Sequence, residues 1–184
     1  MGGLPGVLPV SGAVLWPGER LELFPAPRGA YQLRSGGSPV GSIRPRSWRS
    51  RDVVAELHGR RWVIRGTGRT ATVHDPDSWA ELAREVWEPW RRSGVLVRTA
   101  SGRRFVWSVV SRFPGRERWA FVDADGGELV RFEGRSGQGL QPVLVAIVDM
   151  LGAFEETTPL LIALGCFLIL RQRGAVGAER VARA

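Results

Sequence analysis

The run Pro159-Leu-Leu-Ile-Ala-Leu-Gly-Cys-Phe-Leu-Ile-Leu170 carries no charge and no strongly polar side chain. A helix apolar on every side must be wrapped by protein or by lipid. At 1.5 Å per residue such a helix covers about 18 Å. A bilayer core asks for about 30 Å, and runs of this length more often mark a buried core helix. The run therefore reads as the filling of a shell built by the residues before it. The alternative is a short tail anchor flanked by Arg171 and Arg173, since a helix shorter than the bilayer can thin it or snorkel.

Both ends of the helix are marked. Thr158 is placed to be its N-cap and Pro159 its first residue, where a missing N–H costs nothing. Glu155 and Glu156 sit beside the positive end of the dipole, Arg171 and Arg173 beside the negative end. Gly174 suits the position just past the C-terminus, so the helix is expected over 158–173. Gly165 costs about 1 kcal/mol in helix propensity, which implies a packed neighbour that needs the space.

The chain has 184 residues, enough for one domain with a real core, and an ordinary apolar fraction of 43%. Its 26 basic residues against 18 acidic ones give +8, and every basic residue is Arg. A GC-rich genome also yields such a composition. Arginine nevertheless forks onto phosphate and stacks on aromatics, and a basic surface favours lipid headgroups, nucleic acid or acidic proteins. The single cysteine, Cys166, excludes an internal disulfide and a cysteine-based zinc site. The N-terminus lacks a basic segment followed by a continuous apolar one, so it does not read as a secretion signal. A cytoplasmic protein is expected, peripheral to the membrane if lipid is its partner.

Residues 1–18 read as an irregular arm rich in Gly and Pro, and 175–184 as a flexible tail. Between them lie short β runs: 20–24, 31–34, 40–44, 52–57, 61–65, 69–74, 79–87, 94–99, 103–110, 118–122, 128–133 and 138–148. The run 79–87 also suits a short helix. Turn signals separate the runs, among them Ser35-Gly-Gly-Ser38, His58-Gly59, Asp75-Pro-Asp77, Ser101-Gly102 and Asp125-Gly126-Gly127. A weak repeat, Gly59-Arg-Arg-Trp-Val63 against Gly102-Arg-Arg-Phe-Val106, suggests a continuous antiparallel meander. Closing such a meander into a barrel removes its two free edges. A barrel of this width needs its lumen filled. The expected fold is mainly β: a closed antiparallel barrel of about 12 strands over 19–174 around a central hydrophobic C-terminal α-helix. Leu21, Leu23, Val63 and Phe121 are expected to line its cavity.

In order along the chain stand the hairpin Tyr31-Gln-Leu-Arg-Ser-Gly-Gly37, the Arg-Arg-Trp and Arg-Arg-Phe strand starts and the hairpin Trp119-Ala-Phe-Val-Asp-Ala-Asp-Gly-Gly-Glu-Leu-Val-Arg-Phe132. The terminal helix closes the series at Arg171-Gln-Arg173. In this order the chain resembles the tubby C-terminal-like superfamily, which joins tubby proteins, phospholipid scramblases and LURP-one-related proteins, and especially uncharacterised bacterial members. The resemblance covers about residues 21–173. It implies a 12-stranded barrel around a C-terminal helix, and phosphoinositide binding as tubby proteins show. The family's phosphate-binding residues do not map onto this chain, and none is carried across.

Function is sought in sites rather than in the fold. Arg44-Pro-Arg46-Ser-Trp48-Arg49-Ser-Arg51 places four Arg around an aromatic. Arg44, Arg46, Trp48, Arg49 and Arg51 are the candidate contacts to an anionic headgroup, with Trp suited to a membrane interface. An ordinary solvated loop, with Trp48 over a barrel end, accounts for the same residues. The pairs Arg60–Arg61, Arg91–Arg92 and Arg103–Arg104 point one side chain outward and the other toward a rim or an acid. Asp123-Ala-Asp125-Gly126-Gly127-Glu128 reads as a hairpin turn rather than a calcium loop. His58 and His74 lack metal-ligand spacing and are expected at the surface. No nucleophile–base order or paired-carboxylate pattern appears, so no catalytic residue, metal or cofactor is expected. The expectation is a non-enzymatic module for anionic phospholipid headgroups or a membrane surface. The alternatives are a structural or protein-interaction domain and a nucleic-acid binder, the last disfavoured by the lack of any nucleic-acid motif.

Overall fold

The computed structural model describes residues 15–47, 52–67, 70–86, 95–113, 116–135 and 141–175. Local turn chemistry sets its strand pairs. Gly36 and Gly37 adopt φ of 55° and 85° between the paired Ser35 and Ser38, a two-residue hairpin that only left-handed backbone can close. His58 (φ 49°) and Gly59 (φ 77°) do the same between Leu57 and Arg60.

The strands are β1 (Arg20–Ala26), β2 (Ala30–Ser35), β3 (Ser38–Pro45), β4 (Val53–Leu57), β5 (Arg60–Thr67) and β6 (Thr70–His74). They continue as β7 (Glu81–Val86), β8 (Val95–Thr99), β9 (Arg104–Phe113), β10 (Arg116–Val122), β11 (Glu128–Gly134) and β12 (Leu144–Val148). Each pairs antiparallel with its sequence neighbour, and β1 pairs with β12, so the twelve described strands form a closed barrel. The meander reading and the closure both hold. The run 79–87 resolves as strand β7. The helix α1 (Met150–Ala153) is not anticipated in the sequence, being one turn capped by Asp149 Oδ1, which accepts from the Met150 N–H.

The helix α2 (Thr158–Gln172) is buried from Thr158 to Leu170. Its position follows from two close approaches. Gly165 faces the Phe132 ring of β11, and Phe167 faces Gly66 of β5. Strands β5 and β11 stand on opposite sides of the ring, so α2 runs through the lumen. Among the described residues no helix is long and apolar enough to cross a membrane. Alternate strand positions supply the lining: Leu21, Leu23, Leu33, Ile43, Phe105, Phe121 and Phe132 share one core with α2. Val63 is a correction. Trp62 and Ile64 belong to that core, whereas Val63 lies on the outer side of β5 in the row with Val54 and His74. A period of two puts neighbours on opposite faces, and Val63 is nonetheless only 3% exposed.

The helix ends differ from expectation in one detail. Thr157, not Thr158, is the N-cap, with αR backbone and no side-chain cap bond. Glu155 replaces it, accepting from the Thr157 N–H through Oε1 (3.1 Å) and from the Thr158 N–H through its carbonyl (3.0 Å). At the C-terminal end Gly174 takes φ 69° and its N–H reaches the Arg171 carbonyl. Two arginines then fasten the helix to the rim. Arg171 donates to the Thr70 carbonyl (3.0 Å) and to Glu85 (3.2 Å). Arg173 donates to the Val143 carbonyl (2.9 Å) and to Glu117 (2.8 Å). Both charges lie at the negative end of the helix dipole.

Gly165 supplies a first prediction. A Cβ there would stand 2.8–2.9 Å from the Phe132 Cε atoms. Phe132 is held edge-on to Trp107 at 5.3 Å and to Phe121 at 6.2 Å, so its ring has no room to retreat. Gly165→Ala is expected to lose about 1–3 kcal/mol by overpacking, offset by about 1 kcal/mol of helix propensity. Denaturant melts should show a net loss for Gly165→Ala and recovery when Phe132→Leu is added.

Candidate functional site

The outer wall across β3–β6 gathers charge around one aromatic ring. The turn after β6 starts it. Asp75 Oδ1 accepts from the N–H of Asp77 (3.1 Å) and of Ser78 (2.7 Å) and from the Ser78 hydroxyl (2.8 Å). These bonds from Ser78 hold the Asp75 carboxyl below the usual range. The turn delivers Trp79 in left-handed backbone, φ 61°, with its N–H on the Asp75 carbonyl (3.0 Å). Positive φ at a bulky residue is costly and persists only where the surroundings fix it.

Those surroundings are polar. The Trp79 indole stacks on His74, with centroids 5.2 Å apart and planes 14° from parallel. His74 Nδ1 donates to the Trp79 carbonyl at 3.3 Å, since that oxygen can only accept. Arg46 and Arg65 approach the indole ring at 4.8 Å and 5.4 Å. Asp52 joins the two cations. It accepts from Arg65 Nε (3.1 Å) and Nη2 (3.2 Å) and lies 3.7 Å from Arg46 Nη1. The Arg65 proton is held more tightly than usual by those bonds. Arg44 is exposed one row away, in register with Val54. Trp79 itself is 38% exposed. The wall therefore offers guanidinium donors beside an accessible indole.

Of the sequence-predicted contacts, Arg44 and Arg46 lie on this wall, and Trp48, Arg49 and Arg51 fall outside the described residues. Arg65 and Trp79 are the members that sequence reasoning misses. Trp79 reads as the first residue of a strand, but the Asp75-Pro-Asp-Ser turn runs one step further and swings its ring back over the wall. Of the other arginine pairs, Arg103–Arg104 divides as anticipated. Arg103 forms an ion pair with Glu155, and Arg104 is exposed. Arg91–Arg92 lies outside the described residues. The Asp123 carboxylate serves its own turn, accepting from the N–H of Asp125 (3.0 Å) and Gly127 (2.7 Å). Among the described residues no group of three or more His, Cys, Asp or Glu side chains is placed to hold a metal.

An open groove of about 470 Å³ beside the start of β1 is lined by Trp16, Glu19, Arg20 and Glu22. Glu19 is already engaged there, accepting from the Trp16 N–H (3.0 Å) and the Ser35 hydroxyl (2.9 Å), with His58 Nε2 at 3.8 Å. That Nε2 is buried, so His58 is less of a surface residue than its sequence suggests. The Cys166 thiol is pushed up to about 12 by complete burial, which leaves it inert.

Compared with family models, curated proteins and solved structures, the chain matches none.

Proposed function

We propose that this protein is a non-enzymatic binding module whose outer wall over β3–β6 takes anionic phospholipid headgroups at a membrane surface. The observation that carries the reading is Trp79, exposed and bracketed by Arg46 and Arg65, with Arg44 one row away. Guanidinium forks suit phosphate oxygens. An indole with one polar edge suits the headgroup layer. The closed barrel around a C-terminal helix also supports the likeness to tubby-type barrels, as a proposal of kinship.

Co-sedimentation of the full chain with vesicles tests it. Binding is expected to phosphatidylcholine vesicles containing phosphatidylserine, to fall as salt rises, and to be absent with phosphatidylcholine alone. Arg44→Gln and Arg46→Gln should each raise the lipid needed for half-binding by about fivefold. No sedimentation with anionic vesicles at low salt overturns the reading. A second reading, a protein-interaction domain without a lipid ligand, is favoured by Met150, Leu151 and Phe154, which stand 65%, 52% and 83% exposed side by side. On that reading the vesicles are ignored and Phe154→Asp, not the arginine variants, changes partner binding.

A further inference from the structure

Strand register places a second set of arginines beside the first. Arg84 of β7 pairs directly with Arg98 of β8, and Arg98 with Arg104 of β9. All three are exposed. Cross-strand partners on one face stand about 5 Å apart at Cβ, and like charges so placed destabilise a sheet. Arg84 is relieved by Glu81, which accepts from its Nε (2.8 Å) and Nη2 (2.7 Å) and is held below its usual pKa by those bonds. Arg98 and Arg104 have no ion pair among the described residues.

The ladder continues the Trp79 site. Arg46 N–H reaches the Asp52 carbonyl, Asp52 meets Arg65, Arg65 pairs with Thr72, and Thr72 pairs with Arg84. One lateral row thus crosses seven strands from β3 to β9 and carries five guanidiniums against the carboxylates of Asp52 and Glu81. Its six interstrand steps span about 29 Å. With strands tilted as in other barrels it covers roughly a third of the circumference, and long arginine stems level that curvature against a flat partner.

The excess of positive charge falls off past β9. On the strands that follow, β10 and β11, Arg118 and Arg131 are answered by Glu133 and Glu128. At the rim Arg171 and Arg173 are occupied by Glu85, Glu117 and backbone carbonyls. The apolar face at Phe154 is flanked by Asp149 and Glu156, which an anionic surface repels.

We infer that the barrel docks on its side, with the β3–β9 wall against an anionic bilayer and Arg98 and Arg104 as a second set of headgroup contacts. This rests on the membrane reading above. The repulsion stored along the ladder is relieved when phosphates come between the guanidiniums.

The test uses the full chain and vesicles of phosphatidylcholine with phosphatidylserine. Arg98→Gln and Arg104→Gln should each raise the lipid needed for half-binding by about fivefold. Arg20→Gln on β1, across the ring from β7, should leave it unchanged. At low salt Arg98→Gln should also melt at a higher temperature than the parent, because it removes a like-charge pair from both sides. Parent binding that both ladder variants leave intact overturns the side-on wall while sparing the function reading. An Arg98→Gln protein that loses stability as well as binding makes the ladder structural and overturns the inference. A parent that ignores the vesicles overturns both. If it then shifts single-stranded or duplex DNA with a steep salt dependence, the row belongs to nucleic acid.

Discussion

Phe167→Ala should lower the unfolding free energy by about 3–5 kcal/mol. Phe167 is fully buried near the C-terminal half of α2, its ring against Gly66 on one side and beneath the Arg171 guanidinium at 5.6 Å. Most large-to-small changes in a core are softened because the surroundings relax into the space. Here the surroundings are a closed ring of hydrogen-bonded strands, and β5 cannot move inward without breaking its ladders to β4 and β6. The void therefore persists, and its cost sits at the upper end of the range. The close approach names its own repair. A Cβ on Gly66 would stand 3.1 Å from the Phe167 ring, so in the parent it crowds, and in Phe167→Ala it fills. Gly66→Val should thus destabilise the parent and partly restore Phe167→Ala. Urea melts of the four proteins read this as a coupling of opposite sign. Simple addition of the two losses would mean that the helix and β5 are not in contact.

Arg171→Ala should be nearly as damaging, by about 3–5 kcal/mol near neutral pH, because it strands a buried carboxylate. Glu85 is inward-facing and only 6% exposed, and Arg171 is its counter-charge at 3.2 Å. Burial already pushes the Glu85 carboxyl above its ordinary value near 4.5, with Arg171 pulling the other way. Removing Arg171 leaves burial unopposed. The direction with pH follows from linkage. A carboxyl whose folded pKa exceeds its unfolded one binds its proton more readily when folded. Its contribution to stability is full below the unfolded value and is lost as pH rises through the folded one. Acidification from neutrality toward that ordinary glutamate value should therefore shrink the deficit of Arg171→Ala relative to the parent. Asp75 and Glu81 work in the opposite sense, because their folded pKa values are lowered and their contributions fade as pH falls through those values. Adding Glu85→Gln to Arg171→Ala should remove the pH dependence of the deficit and recover part of it. A deficit that stays constant with pH would mean that Glu85 is uncharged or solvated in the native protein.

Much of the barrel is legible in the chain because each hairpin carries its own turn chemistry. Gly36-Gly37 and His58-Gly59 can only close tight returns, and the Asp123 carboxylate shapes the β10–β11 connection. The apolar helix makes closure the economical answer, since nothing else in the chain could cover it. Register is less legible. The Val63 error has this origin: three consecutive apolar residues, Trp62-Val-Ile64, hide which face is inward. The arginine row is hidden for the same reason. Arg46, Arg65, Arg84, Arg98 and Arg104 are scattered along the sequence, and a bulge between Val73 and His74 decides which residue of β7 stands beside Thr72. Sequence reasoning instead favours a local cluster, Arg44 to Arg51, because proximity along the chain is the only proximity it can see. Trp79 escapes for another reason. Left-handed backbone at a tryptophan contradicts its intrinsic preference and is imposed by the Asp75 turn and the His74 stack.

The enclosure of α2 can be read from one atom. Cys166 is the only cysteine in the chain and its side chain is fully buried in the middle of the helix. Its reaction with a water-soluble disulfide reagent, followed across a denaturant series, reports when that position meets solvent. If the helix fills a closed barrel, labelling in buffer is limited by global unfolding and shares its denaturant dependence. Stoichiometric labelling of the native protein, at the rate of a free thiol, would place the helix outside the wall.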